Sequence, residues 1–169
     1  MPNVQVVAVN GSPSTTSKTH ALAAAALELA GGGTLVNVSD LDAEALLLRR
    51  EHESVQGAID ALVAAQVIVL VTPVYRATYS GLLKIVLDQL PTDALRGKAV
   101  ILAATAGSGA HYLSLDTGLR AAVASLSGWT VPTVAYATGD DFDADGTPGP
   151  RILDALRRGV DEARMVANR

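Results

Sequence analysis

Residues 67–71 read Val-Ile-Val-Leu-Val, and this run constrains the fold more than any other feature of the chain. Side chains of a strand alternate between its two faces, so a strand apolar throughout has no face to give to water. It must lie inside a sheet that is covered on both sides. The surrounding sequence supplies the cover. Val4 to Val9 is a β-branched run ended by the turn signal Asn10-Gly11-Ser12-Pro13. Ser17 to Ala30 is an Ala/Leu-rich helix with Ser17 placed as its cap, stopped by Gly31-Gly32-Gly33. Thr34 to Val38 reads as a second strand, Ser54 to Ala65 as a second helix, and Val67 to Val71 as the third strand. Thr72 to Tyr79 reads as a loop, followed by a helix from Gly81 to Leu90 that Pro91 closes. Ala99 to Ala104 is a fourth strand, Leu113 to Leu126 a helix, Val131 to Ala137 a fifth strand and Ile152 to Val166 a last amphipathic helix. Five strands alternating with five helices predict an α/β fold, a parallel sheet wound on both faces, because each parallel crossover is long and right-handed. No repeat or linker divides residues 1–169, so a single domain is expected.

Charge and composition close several routes. A net charge of −4 and the absence of Lys/Arg runs interleaved with aromatics leave no cationic surface for nucleic acid. Without cysteine there is no disulfide framework, thiolate nucleophile or cysteine-ligated metal, and His20, His52 and His111 are scattered. No apolar stretch reaches the roughly 18 residues of a membrane span, and Met-Pro-Asn-Val enters a strand without a basic region. A cytoplasmic protein with no membrane contact is expected.

Ligands of an open parallel sheet sit beyond the carboxyl ends of its strands, where the winding direction switches, so three loops matter. The first, Gly11 to Thr19, is dense in hydroxyls and leads into a helix N-terminus. Its free amides, the helix dipole and the Lys18 cation suit a phosphate, and an ordinary capped turn is the plain alternative. It is not a P-loop: G-x-x-x-x-G-K-S/T needs a second glycine that is absent here, and the spacing to Lys18 is one residue too long. The second loop, Thr72 to Gly81, places two tyrosines and an arginine at a strand end in a chain with one Trp, four Tyr and one Phe. Pro73, Val74 and Tyr75 could meet a flat, partly apolar ring, with Tyr79 either a second contact or a packing residue. The third, Thr105 to His111, is glycine-rich and lets backbone approach a ligand. It matches neither the dinucleotide fingerprint nor G-x-S-x-G, so Ser108 is not an acyl-transfer nucleophile. His111 either bonds a ligand edge or phosphate, or is structural.

Together these loops resemble the NAD(P)H-dependent FMN reductase family of the flavodoxin-like superfamily, and within it the reductases that serve sulfonate monooxygenases. The resemblance is carried by Gly11-Ser12-Pro13 with Ser17-Lys18-Thr19, by Thr72 through Lys84 with Leu87-Asp88 and Leu90-Pro91, and by Ala110 to Leu113 with Leu115-Asp116. It runs from the first strand to about Leu126. It implies a flavodoxin-like five-stranded sheet of order 2-1-3-4-5. It implies FMN with its phosphate held by Ser12, Ser14, Ser17, Lys18 and Thr19, its isoalloxazine ring against Pro73, Val74, Tyr75 and Arg76, and Gly107, Ser108 and His111 beside it. NADPH or NADH would donate hydride directly to the flavin, so no side chain need act as general base. A homodimer or homotetramer packed through the helix from Gly81 to Leu90 is implied, and a flavin-dependent monooxygenase is a possible recipient of reduced flavin. In the sulfonate-type reductases an Asp-Tyr pair stands where this chain has Asp116-Thr117, and that tyrosine goes with an expanded helix turn and with flavin released as a substrate.

Two alternatives share the fold: a quinone or azo-compound reductase, and a flavin electron carrier without nicotinamide activity. One motif is set aside. Asp141 to Gly146 opens like a calcium loop, D-x-D-x-D-G, but Ile152 stands where the bidentate Glu belongs, so a solvated acidic loop is expected.

Overall fold

A computed structural model describes residues 4–167. In chain order its strands are β1 (Val6–Asn10), β2 (Thr34–Asn37), β3 (Val67–Tyr75), β4 (Thr78–Tyr79), β5 (Ala99–Thr105) and β6 (Trp129–Ala137). Its helices are α1 (Lys18–Ala30), α2 (Ala43–Leu46), α3 (Glu53–Ala64), α4 (Gly81–Asp88), α5 (Arg120–Ser125) and α6 (Pro150–Ala167). Five strands run parallel in the spatial order β2-β1-β3-β5-β6, and β4 folds back antiparallel on β3. The direction of winding therefore reverses between β1 and β3. No helix among the described residues is long and apolar enough to cross a membrane.

The apolar strands divide their side chains as a doubly covered sheet requires. Val7, Val9, Ile68, Leu70, Val100 and Leu102 pack under α2 to α5. Their alternating neighbours Val6, Ala8, Val67, Val69, Val71 and Ile101 pack under α1 and α6. Every residue of the 67–71 run is at most 3% exposed. Truncating one of the fully buried leucines, Leu70 or Leu156, is expected to cost about 2–5 kcal/mol.

Two expectations need correction. The sheet has six strands, not five, because Thr72–Tyr79 is not a loop: β3 continues to Tyr75, and Val74 and Tyr75 pair with Tyr79 and Thr78. Pro73 argues against a strand, and the hairpin turn is made by Arg76 and Ala77 instead of the Asn-Gly pair that advertises one. Both turn residues have positive φ, 50° and 63°. Second, the helix expected over 113–126 is regular only from Arg120; a 3-10 turn spans Gly109–His111 and a wide π turn spans Leu115–Leu119. An expanded turn is present although Thr117 stands where the sulfonate-type reductases carry the tyrosine. Thr117 turns its amide (3.0 Å) and hydroxyl (3.1 Å) onto the Leu113 carbonyl. Gly118 lets the turn lie under β4, since a Cβ there would stand 3.2 Å from Thr78 Oγ1 and 3.3 Å from the Tyr79 ring. The short helix α2 was not anticipated; Asp42 caps it by accepting from the Ala45 amide at 2.9 Å.

Candidate active site

The loop from β1 to α1 is wired by side chains onto its own backbone. Asn10, wholly buried, accepts from the Ser12 amide (3.1 Å) and donates to Asn37 Oδ1 (3.1 Å) and the Ser14 carbonyl (3.5 Å). Ser12 Oγ accepts from the Ser14 amide, Ser14 Oγ from the Thr16 amide, and Ser17 Oγ from the His20 amide as the α1 cap. Asn37 Oδ1 also faces His20 Nδ1 at 3.0 Å, so β2 braces the same corner. The amides of Thr15, Lys18 and Thr19 find no acceptor among the described residues, while that of Ser17 closes a turn onto the Ser14 carbonyl. They crowd the first turn of a 13-residue helix whose first turn carries no acidic side chain. Unpaired amides at a long helix's start, beside the exposed Ser14 and the half-buried Ser17, form a cradle with the chemistry a phosphate dianion requires.

The floor of this loop is locked to the neighbouring strand. The Gly11 amide donates to the Val71 carbonyl at 2.8 Å, and the buried Ser80 hydroxyl donates to the Gly11 carbonyl at 2.7 Å while accepting from the Leu83 amide that it caps. Thr72 Oγ1 in turn accepts from the Ser80 amide at 2.9 Å. A Cβ at position 11 would lie 2.8 Å from Leu83 Cβ, so only glycine lets α4 approach this closely.

At the end of β3, Pro73 is buried, Val74 is half-buried and Tyr75 and Arg76 are exposed. Arg76 makes no ion pair among the described residues, which leaves its guanidinium available to an anion. Beyond β5, Gly107, Ser108 and His111 are exposed, and His111 lines a cleft of about 280 Å³ with Ala77 of the hairpin turn and Tyr112, Ser114 and Thr117. The three loops expected to carry the chemistry thus follow β1, β3 and β5 at the same sheet edge, and β1 and β3 flank the reversal of winding.

Every expected phosphate residue has a protein partner: Ser12 is 3% exposed, the Ser17 hydroxyl also donates to the Ser14 carbonyl at 3.0 Å, and Thr19 and Lys18 reach beyond the loop. The Thr19 side chain, 2% exposed, shares a 2.7 Å hydrogen bond with Thr105 Oγ1 and so ties α1 to β5. Lys18 Nζ reaches the Gly139 carbonyl at 3.5 Å and sits 5.1 Å above the Phe142 ring. This pins the acidic loop after β6 to the start of α1, where the two enclose a cleft of about 510 Å³. Within that loop Asp141 is engaged by Arg151 (2.6 Å) and by the Thr138 amide (2.7 Å). The Arg151 guanidinium holds the Asp141 carboxyl below its usual range. The first carboxylate of the calcium-like motif is therefore already satisfied by protein groups.

The sequence reading passed over Asn10, Thr72, Ser80 and Tyr136. Asn10 and Ser80 carried a usable signal: a polar residue closing an apolar strand before glycine, and a serine directly ahead of the amphipathic segment from Gly81. Tyr136 carried none, because a tyrosine near a strand end reads as an ordinary β residue.

A parallel sheet wound on both faces, with a hydroxyl-lined strand-to-helix turn at its switch point, defines a nucleotide-binding α/β protein of flavodoxin-like build. A WrbA-like flavodoxin from Agrobacterium tumefaciens shares this fold, with a TM-score of 0.71 at 21% identity over 98% of each chain. The sequence profile of the NADPH-dependent FMN reductases matches residues 4–143, and the chain belongs to that family. The match extends past Leu126, further than the loops alone indicated. The chain is 30% identical to the NADH-dependent FMN reductase SfnF of Pseudomonas putida, covering 94% of this chain and 90% of that one. It is 33% identical to an FMN reductase (NADPH) of Pseudomonas aeruginosa, over 82% and 79%. Among solved structures, an NADH:FMN oxidoreductase named EMOB in its apo form superposes with a TM-score of 0.87 at 36% identity, over 96% and 89%. Membership makes the chain an NAD(P)H-dependent flavin oxidoreductase, which favours this reading over the quinone or azo-compound reductase and the electron carrier.

Proposed function

We propose that the protein reduces FMN at the expense of NADPH or NADH, with the three loops as one crevice and residues 1–169 as one flavin-binding domain. FMN, when bound, supplies the hydride-accepting chemistry; the protein supplies binding, orientation and charge. The observation that carries the residue assignment is the set of three unpaired amides at Thr15, Lys18 and Thr19. With the hydroxyls of Ser12, Ser14 and Ser17 they would hold the phosphate, and Lys18 would add its charge if it swings from Gly139. Pro73, Val74 and Tyr75 would lie along the ring. Gly107, Ser108 and His111 would border its polar edge, and Arg76 would attract the phosphates of the nicotinamide nucleotide. No carboxylate or histidine has to move a proton, because hydride passes between the two nucleotides directly.

In the same reading the protein is a homodimer or homotetramer through α4 and its surroundings, and a flavin-dependent monooxygenase consumes the reduced flavin. The relatives' names support both NADH and NADPH as donors. The test is nicotinamide oxidation with and without added FMN, followed by the absorbance spectrum after desalting. Oxidation that requires FMN is the expected result. A retained flavin spectrum would make FMN a prosthetic group and a colourless active protein would make it a substrate, whereas no oxidation with either donor would overturn the function. Ser14→Ala combined with Ser17→Ala is expected to weaken FMN binding by about 10- to 100-fold, the worth of one to two charge-assisted hydrogen bonds.

A further inference from the structure

Behind the third loop stands a side chain that the activity described so far does not use. Tyr136 lies on β6, is 4% exposed, and donates its phenolic hydrogen to the Ser108 carbonyl at 2.9 Å. The Tyr112 ring meets the Tyr136 ring edge-to-face, with 5.4 Å between centroids and 64° between planes. Its own backbone carbonyl accepts from Arg151 at 3.0 Å, and Arg151 is paired with Asp141. The residue is thus fixed at its main chain, its ring and its hydroxyl. Burial pushes its phenol up, so it stays protonated as a donor at neutral pH.

The consequence follows from the planarity of the peptide unit. None of the described peptide bonds is cis, and in a trans unit the carbonyl and the following N–H point in opposite directions. Anchoring the Ser108 carbonyl toward β6 therefore turns the Gly109 amide away from β6. That amide has no acceptor among the described residues, and Gly109 is exposed. Glycines at 107 and 109 leave the backbone free to rotate about this unit, so something else must choose its orientation. The Ser108 hydroxyl fixes the far side of the unit by accepting from the Ala110 amide at 3.3 Å, and the Tyr136 hydroxyl is the group that holds its carbonyl.

We propose that Tyr136 is a positioning residue for flavin, holding the Ser108–Gly109 peptide so that the Gly109 amide is presented to an acceptor atom on the ring's polar edge. The proposal rests on the FMN reading above. Tyr136 touches neither nucleotide and acts only through the loop.

Tyr136→Phe removes the hydroxyl and keeps the ring against Tyr112. The expected result is an FMN dissociation constant, read by flavin fluorescence, raised about tenfold, on the scale of one hydrogen bond. The visible bands of bound flavin should change shape, while the KM for the nicotinamide nucleotide stays within about twofold, below the worth of a hydrogen bond. Trp129→Phe, at the opposite and exposed end of β6, should leave FMN affinity and spectrum unchanged. Unaltered FMN affinity and bands in Tyr136→Phe would overturn the proposal while the FMN reading stands. Failure of the wild type to bind FMN at all would instead overturn the FMN reading. If Tyr136→Phe does not fold, amide exchange decides in the wild type: protection of Gly109 on adding FMN supports the proposal, and unchanged exchange there alongside protection of residues 15–19 overturns it.

Discussion

The two turns that flank the switch point are built on opposite principles. The β1–α1 turn is held by its own side chains: Asn10, Ser12, Ser14 and Ser17 each bond a nearby backbone group, and its floor is sealed by Ser80. The β3–β4 turn has almost no such support. Two non-glycine residues, Arg76 and Ala77, occupy left-handed conformations that chirality disfavours, and Tyr75 and Arg76 beside them are exposed. One turn has its geometry fixed before a ligand arrives, and the other holds strain of the kind that gathers at sites where a ligand must be clamped. In the function proposed above, the first turn would grip the phosphate of FMN and the second would meet the rings.

The largest expected effect comes from breaking the fixed turn at its floor. Gly11→Ala places a methyl 2.8 Å from Leu83 Cβ, which is fixed to the α4 backbone, and 3.1 Å from Oγ of Ser80, which caps α4 and is held by its bonds to Gly11 and Leu83. Overpacking of this kind costs about 2–3 kcal/mol and should displace the loop from Ser80. Chemical denaturation should report that loss, and flavin titration should show FMN affinity falling with it. Unchanged stability in the Gly11→Ala variant would mean that the turn is as adaptable as the hairpin, and the contrast would fail.

The hairpin should respond in the opposite sense. Ala77→Gly relieves one left-handed residue, at φ 63°, and keeps the arginine. Relief of the backbone is offset by the entropy glycine loses on folding, so the net gain should be at most about 1 kcal/mol. The same change should lower kcat/KM for the nicotinamide nucleotide, because a relaxed turn holds Tyr75 and Arg76 less firmly. A gain in denaturation midpoint with unimpaired kcat/KM would show that the strain at this turn serves no function.

This contrast also explains which parts of the molecule could be read from sequence. The fixed turn was legible because its chemistry is local: hydroxyls two or three residues from the amides they bond, ahead of an Ala/Leu helix, carry their own signature. The doubly covered sheet was legible from Val67–Val71 for the same reason. The hairpin was not, since Arg-Ala is a poor left-handed pair and only the pairing of Val74 with Tyr79 imposes it. Thr19 was read as a phosphate ligand because the family resemblance implies it; that its hydroxyl meets Thr105, 86 residues away, is a fact of tertiary packing. Tyr136 and Ser108 are likewise 28 residues apart, and nothing near either announces the other. The expanded turn at Leu115–Leu119 was tied to a tyrosine this chain lacks, whereas Gly118 and the Thr117 hydroxyl accommodate it here.

The smallest expected effect sharpens the comparison through pH. The fixed turn is bonded by neutral groups, Asn10, Ser12 and Ser14, that do not titrate in acid. The acidic loop docked beside it depends on Asp141, whose carboxyl Arg151 lowers in the folded chain. A depressed folded pKa gives stability that is fully present above the unfolded value, about pH 4, and that fades as pH falls below it. Asp141→Asn should therefore destabilise by less than about 1 kcal/mol near pH 6, allowing for solvent screening of a pair whose arginine is exposed. The gap from wild type should be narrower near about pH 3, below the unfolded value, and close only as pH falls through the lowered folded one. Ser12→Ala should instead cost the same at both pH values, because nothing it touches gains or loses a proton. If denaturation midpoints show the Ser12→Ala cost shrinking in acid as the Asp141→Asn cost does, the two loops melt as one unit. The contact of Lys18 with Gly139 and Phe142 would then couple them strongly enough to make the phosphate cradle acid-sensitive.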